Sequence, residues 1–135
     1  MTILAHLERA GLTAQAANRA AAGCEETGEP LPVVVSRLGL LSDDVVVAAL
    51  SSAFGLAAVG DDDLPAAIVA PRLNPAFLKT HRALPLRADD IALDLAIVDP
   101  SDHEASAGAA FATGLSVRCH VIGFHTWRRA FDRLY

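Results

Sequence analysis

Asp99, Asp102, His103 and Glu104 form the densest set of potential metal ligands in the chain. Carboxylates and an imidazole this close together can hold a divalent cation. The same residues also spell a helix start, with Asp99 as cap, Pro100 at the first helical position and Asp102 as the acid at the third. That pattern accounts for both aspartates, so no metal site is assigned. Cys119 and His120 are neighbours on an expected strand, where successive side chains point to opposite faces and do not readily share a metal. Cys119 is expected in the core, and His125 in a turn beside a Thr126 cap. His6 and His81 are isolated and are expected at the surface or an edge.

Nucleophilic chemistry has no better support. Ser42 reads as a helix cap. Cys24 lies near a helix end beside Glu25 and Glu26, whose charge raises a thiol's pKa instead of activating it. No nucleophile, base and orienting group can be named together. The phosphate-cradling patterns GxxxxGK[ST] and GxGxxG are absent, and Lys79, the sole lysine, has no glycines before it. No catalytic, cofactor-binding or metal residue is therefore expected, and the chain is expected not to be an enzyme. A net charge of −5 with a single lysine argues against a nucleic-acid surface. No apolar run approaches the roughly 20 residues of a membrane span. The N-terminus lacks the basic start and long apolar stretch of a signal peptide. Cys24 and Cys119 form no disulfide framework, so a cytoplasmic setting with reduced thiols is expected.

Few groups can do chemistry, and the packing elements carry more information. With 135 residues, 53% hydrophobic and 20% charged, the chain can bury a substantial core as one domain. Residues 29–55 read as helix, tight turn, helix. Pro32 suits the first turn of the first helix and Gly39 closes it in the left-handed conformation. Ser42 caps the next helix, with Asp43 and Asp44 in its first turn. Leu41 and Val46 have the spacing of a hydrophobic staple. The pattern recurs upstream, where Ile3, Leu4 and Leu7 form an apolar face, Arg9-Ala10-Gly11 ends it and Thr13 caps a helix carrying Ala16, Ala17, Ala20 and Ala21 on one face. The second copy has one extra residue in its turn. Two copies are too few for a solenoid, so residues 1–56 are expected to form a helical lobe of two degenerate helix–turn–helix units.

Residues 57–135 are expected to form a small α+β lobe in the order α-β-β-α-β-α. Gly60-Asp61-Asp62-Asp63-Leu64-Pro65 is a turn or linker, and Asn74-Pro75 starts a short helix. Ala83–Leu86 reads as a strand whose Pro85 places it at an edge or kink. Ile91, Leu93, Leu95 and Ile97 alternate and give the strongest strand signal, with Arg87–Asp90 as the hairpin turn before it. A helix to about Thr113 follows, with Ala105, Gly108, Ala109 and Ala112 as a small-residue face. Val117, Cys119 and Val121 mark a third strand. Thr126 is expected to cap a last helix bearing Trp127, Ala130, Phe131 and Leu134 on one side, which puts Arg128 and Arg129 in its first turn.

Taken in order, these segments resemble the N-terminal domain of the type II secretion assembly ATPase, which is related to the N-terminal domains of type IV pilus assembly ATPases. The resemblance rests on Gly28-Glu29-Pro30-Leu31, Arg37 to Asp44, Ala49-Leu50 and Phe54-Gly55-Leu56. It continues through Phe77-Leu78-Lys79, His81 to Leu86, Ile97 to Asp102, Thr113-Gly114-Leu115 and Asp132 to Tyr135. It covers nearly the whole chain. In the family a linker and a P-loop ATPase core follow, so the chain is expected to be an excised domain or a stand-alone relative.

The resemblance implies docking on the cytoplasmic domain of an inner-membrane platform protein, which would bring a hexameric ATPase core to the membrane without direct membrane insertion. Arg9, Arg19 and Arg37, on the helical lobe, are the expected partner-binding residues. A sibling branch of the family binds cyclic di-GMP through two copies of a longer motif, which makes a nucleotide-binding regulatory domain the alternative. This chain departs from that motif. Thr2-Ile3-Leu4 opens the first copy, Pro32 replaces a glycine after Pro30-Leu31, and Cys24 falls where a glutamine is required.

Overall fold

Three hydroxyls start three of the helices. Thr2 Oγ1 accepts the Ala5 N–H at 3.1 Å, Thr13 Oγ1 that of Ala16 at 3.1 Å, and Ser42 Oγ that of Val45 at 3.3 Å. Each satisfies an N–H with no partner inside its helix. In the computed structural model, which describes residues 2–135, these caps open α1 (Ile3–Arg9), α2 (Ala14–Thr27) and α4 (Asp43–Phe54). Met1, first residue of the expected lobe, lies outside the described residues. α3 (Leu31–Arg37) begins after Pro30 with Pro32 in its first turn.

The expected repeat is present down to its main-chain hydrogen bonds. In the first turn Gly11 N–H donates to the Glu8 carbonyl and Leu12 N–H to that of Leu7. In the second, Gly39 donates to Ser36 and Leu40 to Val35, at the same spacings. Gly11 (φ 120°) and Gly39 (φ 69°) both take the positive φ that glycine adopts without a Cβ penalty. Leu7, Leu12, Ala20, Val34, Val35, Val46 and Leu50 from the helices form a buried cluster with Val121 from the sheet. Ala21, expected on the apolar face of α2, is exposed. Ala20 and Gly23 are the buried positions instead. A Cβ at Gly23 would lie 2.8 Å from Val34 Cγ1, so the bare backbone there lets α2 close on α3.

The remainder is α5 (Pro75–His81), β1 (Ala83–Ala88), β2 (Ala92–Ile97), α6 (His103–Thr113), β3 (Ser116–Val121) and α7 (Phe124–Leu134). The sheet has the order β1-β2-β3. β1 and β2 pair antiparallel, while β2 and β3 pair parallel across the α6 crossover. Leu93 to Ile97 are all buried, as a central strand covered on both faces requires. The register slips between Pro85 and Arg87, the irregularity Pro85 foretold. The fold is therefore α+β with a helical N-terminal part.

Several local expectations give way to tertiary detail. Ile91 is 76% exposed and lies before β2, because Asp89 Oδ1 accepts both the Ile91 and Ala92 N–H at 2.8 Å and closes the turn there. Arg87 and Ala88 belong to β1, not to the turn. α6 is capped by Asp102, which accepts the Ala105 N–H at 3.2 Å, while Asp99 and Pro100 precede the helix in a turn held by Ser101 N–H to Asp99 Oδ1. Ala105 and Ala109 are buried and Gly108 lies under Phe77, but Ala112 is exposed. α7 starts at Phe124 with Gly123 as its cap residue, so Thr126 is inside the helix and Arg128 and Arg129 are past its first turn.

Two side chains explain why α7 starts early. Asp43 Oδ2, from the first turn of α4, accepts the His125 N–H at 2.9 Å and the Thr126 N–H at 3.3 Å. His125 Nε2 lies 3.0 Å from the Ser36 carbonyl, so His125 is a helix residue reaching α3 and not a turn residue. Further contacts join the helical part to the sheet. Val33 of α3 belongs to the core beneath Leu84, Leu95 and Trp127. Residues 57–59 run beside β3, with Val121 N–H donating to Ala57 and Val59 N–H to Val121.

Candidate interaction surface

Arg9, Arg19 and Arg37 occupy three different helices. Arg9 ends α1, is exposed, and lines an open depression of about 420 Å³ with His6, Ala49 and Ser52, between α1 and α4. Arg19 is exposed in mid-α2. Arg37 ends α3 and is tied to Glu29, with Nη2 at 2.8 Å from Oε1. The other oxygen of Glu29 faces Arg82 at 3.5 Å, so this carboxylate links α3 to the end of α5. No ion pair or hydrogen bond among the described residues brings the three arginines together. Arg37 has a structural partner of its own, whereas Arg9 and Arg19 present their charge to solvent.

The most concentrated charge lies elsewhere, on the sheet. Asp94 is only 5% exposed, in the middle of the central strand. Arg87 Nε donates to its Oδ2 at 3.1 Å and Arg118 Nε to its Oδ1 at 2.9 Å. His120 Nε2 lies 3.2 Å from Oδ1 without the alignment of a hydrogen bond. Burial alone would raise the Asp94 carboxyl, but His120, Arg87 and Arg118 together overcome it and hold the group below the usual carboxylate range. The two arginine side chains remain mostly exposed and line an open depression of about 190 Å³. None of Asp94, Arg87 and Arg118 is among the expected site residues. A lone carboxylate between Leu93 and Leu95 was the available signal, since a charge in an apolar strand needs partners.

The remaining reactive groups are quiet. Burial pushes the Cys24 thiol up, with Glu29, not Glu25 or Glu26, adding to it. Burial also pushes the Cys119 thiol up, with the nearby Ser106 hydroxyl opposing it. Cys119 is half-buried against the core. His81 is not isolated, because its Nδ1 lies 2.8 Å from Asp102 Oδ2 and ties the end of α5 to the cap of α6. Among the described residues no group of three or more His, Cys, Asp or Glu side chains is placed to hold a metal. Among the described residues no helix is long and apolar enough to cross a membrane.

A capped helix repeat latched to a three-stranded mixed sheet defines an α+β domain with a helical N-terminal part. Residues 54–135 match the MshEN domain, and the chain belongs to the MshEN domain family. It is similar over 97% of its length to a solved N-terminal domain of XpsE, at 29% identity and a TM-score of 0.77, covering 91% of that chain. A second crystal form of the XpsE domain matches at 30% identity and a TM-score of 0.68, over 97% of this chain and 92% of that one. A structure of MshE with cdg shares the fold, at 20% identity and a TM-score of 0.65, over 100% of this chain and 99% of the other. No curated protein matches the chain. The resemblance drawn from the residues thus agrees with both the domain family and the XpsE relatives.

Proposed function

We propose that this chain is a non-catalytic docking domain of a type II secretion or pilus-type assembly ATPase. It binds the cytoplasmic domain of an inner-membrane platform protein and thereby brings a cytoplasmic, hexameric ATPase core to the membrane. The observation that carries the reading is the likeness to the XpsE N-terminal domain over 97% of the chain. The exposed helical face supports it. Arg9, on α1 beside Ala10, Ala49 and Ala53, and Arg19, on α2, are both exposed, and exposed positive charge complements an acidic patch. Arg37 is the third proposed contact and is bound to Glu29.

The alternative is a cyclic di-GMP-binding regulatory domain, favoured by the shared fold with MshE solved with cdg and by the repeated Gly11 and Gly39 turns. Pro32 is buried and Cys24 half-buried where the nucleotide-binding motif places a glycine and a glutamine, which favours the docking reading. Isothermal calorimetry separates the two. Titration with the platform protein's cytoplasmic domain gives saturable heat and cyclic di-GMP gives none if the domain docks. The reverse pattern overturns the docking reading.

A further inference from the structure

β3 carries unused main-chain hydrogen-bonding groups. Ser116 N–H donates to the Ile91 carbonyl at 2.9 Å and Ile122 N–H to that of Ile97 at 3.0 Å, so residues 116, 118, 120 and 122 face β2. Residues 117, 119 and 121 face the other way. Val121 is paired there with Ala57 and Val59. Val117 and Cys119 have no main-chain partner on that edge among the described residues.

We propose that the β3 edge is a strand-addition site for an extended acidic segment of a partner protein. The template is already begun by residues 57–59 and stops short of Cys119. The edge is regular, pairing with β2 from Ala92↔Ser116 to Ile97↔Val121 without a bulge, and it contains no proline. The opposite edge, β1, is blunted by Pro85 and a register slip, the usual protection against unwanted pairing. Free guanidinium donors select the occupant, because Asp94 engages Arg87 and Arg118 through Nε alone while Asp89 and Asp94 balance their charge. Arg118, between the two open positions, has a side chain 67% exposed and fixed through Nε to Asp94. A residue of an added strand opposite Arg118 has its side chain on the same face. A carboxylate there meets Arg118 beside Arg87, in the depression the two share with Asp89 and Asp94. This inference is independent of the surface formed by Arg9 and Arg19.

The probe is a fluorescein-labelled peptide of alternating Glu and Val, titrated into the protein and followed by anisotropy and amide NMR. Saturable binding is expected, with the amide protons of Val117 and Cys119 moving downfield. Arg118→Gln weakens binding about threefold, the loss of one cross-strand charge pair. The same peptide N-methylated at alternate residues binds about tenfold more weakly, since it cannot complete the ladder, and it leaves the protein untouched. Absence of saturable binding overturns the proposal. So does equal binding of the N-methylated peptide, or of a peptide of alternating Lys and Val.

Discussion

The Asp43 carboxylate accepts the His125 N–H at 2.9 Å, so a side chain from the first turn of α4 caps α7, eighty-two residues later in the chain. A helix N-terminus needs acceptors, and a carboxylate also complements its dipole. Gly123 makes the approach possible, since a Cβ there would stand 2.5 Å from Asp43 Oδ2.

Asp43→Ala should therefore cost about 2 kcal/mol, as loss of a charged cap. Gly123→Ala should cost about 1–3 kcal/mol through overpacking. Because the added methyl collides with the side chain that Asp43→Ala removes, the double variant should be less destabilised than the sum by about 1 kcal/mol. Urea denaturation of the four proteins completes the cycle, and strict additivity would show that Gly123 and Asp43 do not share the site.

Asp94 predicts a pH dependence. Its carboxyl is held below the usual range when folded, so the unfolded chain binds the proton first as the pH falls. The stability this group contributes is complete above the unfolded value of about 3.9 and is lost as the pH falls through the lower folded value. Denaturation midpoints from neutral pH into the acid range should fall for the native chain and fall less steeply for Asp94→Asn. At neutral pH the variant should lose about 1–3 kcal/mol, because two arginines give up a charged acceptor.

Close packing of α2 on α3 gives a third prediction. Gly23→Ala should destabilise by about 1–3 kcal/mol. Val34→Ala removes the methyl 2.8 Å away but empties a core position, so the double variant should lose less in thermal unfolding than the sum of the two single losses.

How far the sequence reached follows from the range of each interaction. The Gly11 and Gly39 turns, the Thr13 and Ser42 caps, Pro32 in the first turn of α3 and the irregularity at Pro85 were all legible. Each depends on residues within a turn or so of one another. What was missed depends on distant partners. Thr126 is a sound local cap, but Asp43 accepts the His125 and Thr126 N–H, so α7 takes its cap at Gly123, three residues upstream. His81 looked isolated until α6 brought Asp102 to it. Asp94, Arg87 and Arg118 meet only once β1 and β3 flank β2, and strand register is not written in any one segment. Of the expected partner-binding residues, Arg37 proves to be paired within the domain.

The most direct test of the docking account is the affinity of the purified chain for the platform protein's cytoplasmic domain, compared with Arg9→Glu, Arg19→Glu and Arg37→Glu. Arg9→Glu and Arg19→Glu should each weaken binding about tenfold, with thermal stability unchanged because both side chains are exposed. Arg37→Glu should weaken binding less and also lower stability, since it sets two carboxylates against each other at Glu29. Undiminished binding in all three variants would contradict the assignment of the helical face, and no binding by the unaltered chain would contradict docking itself.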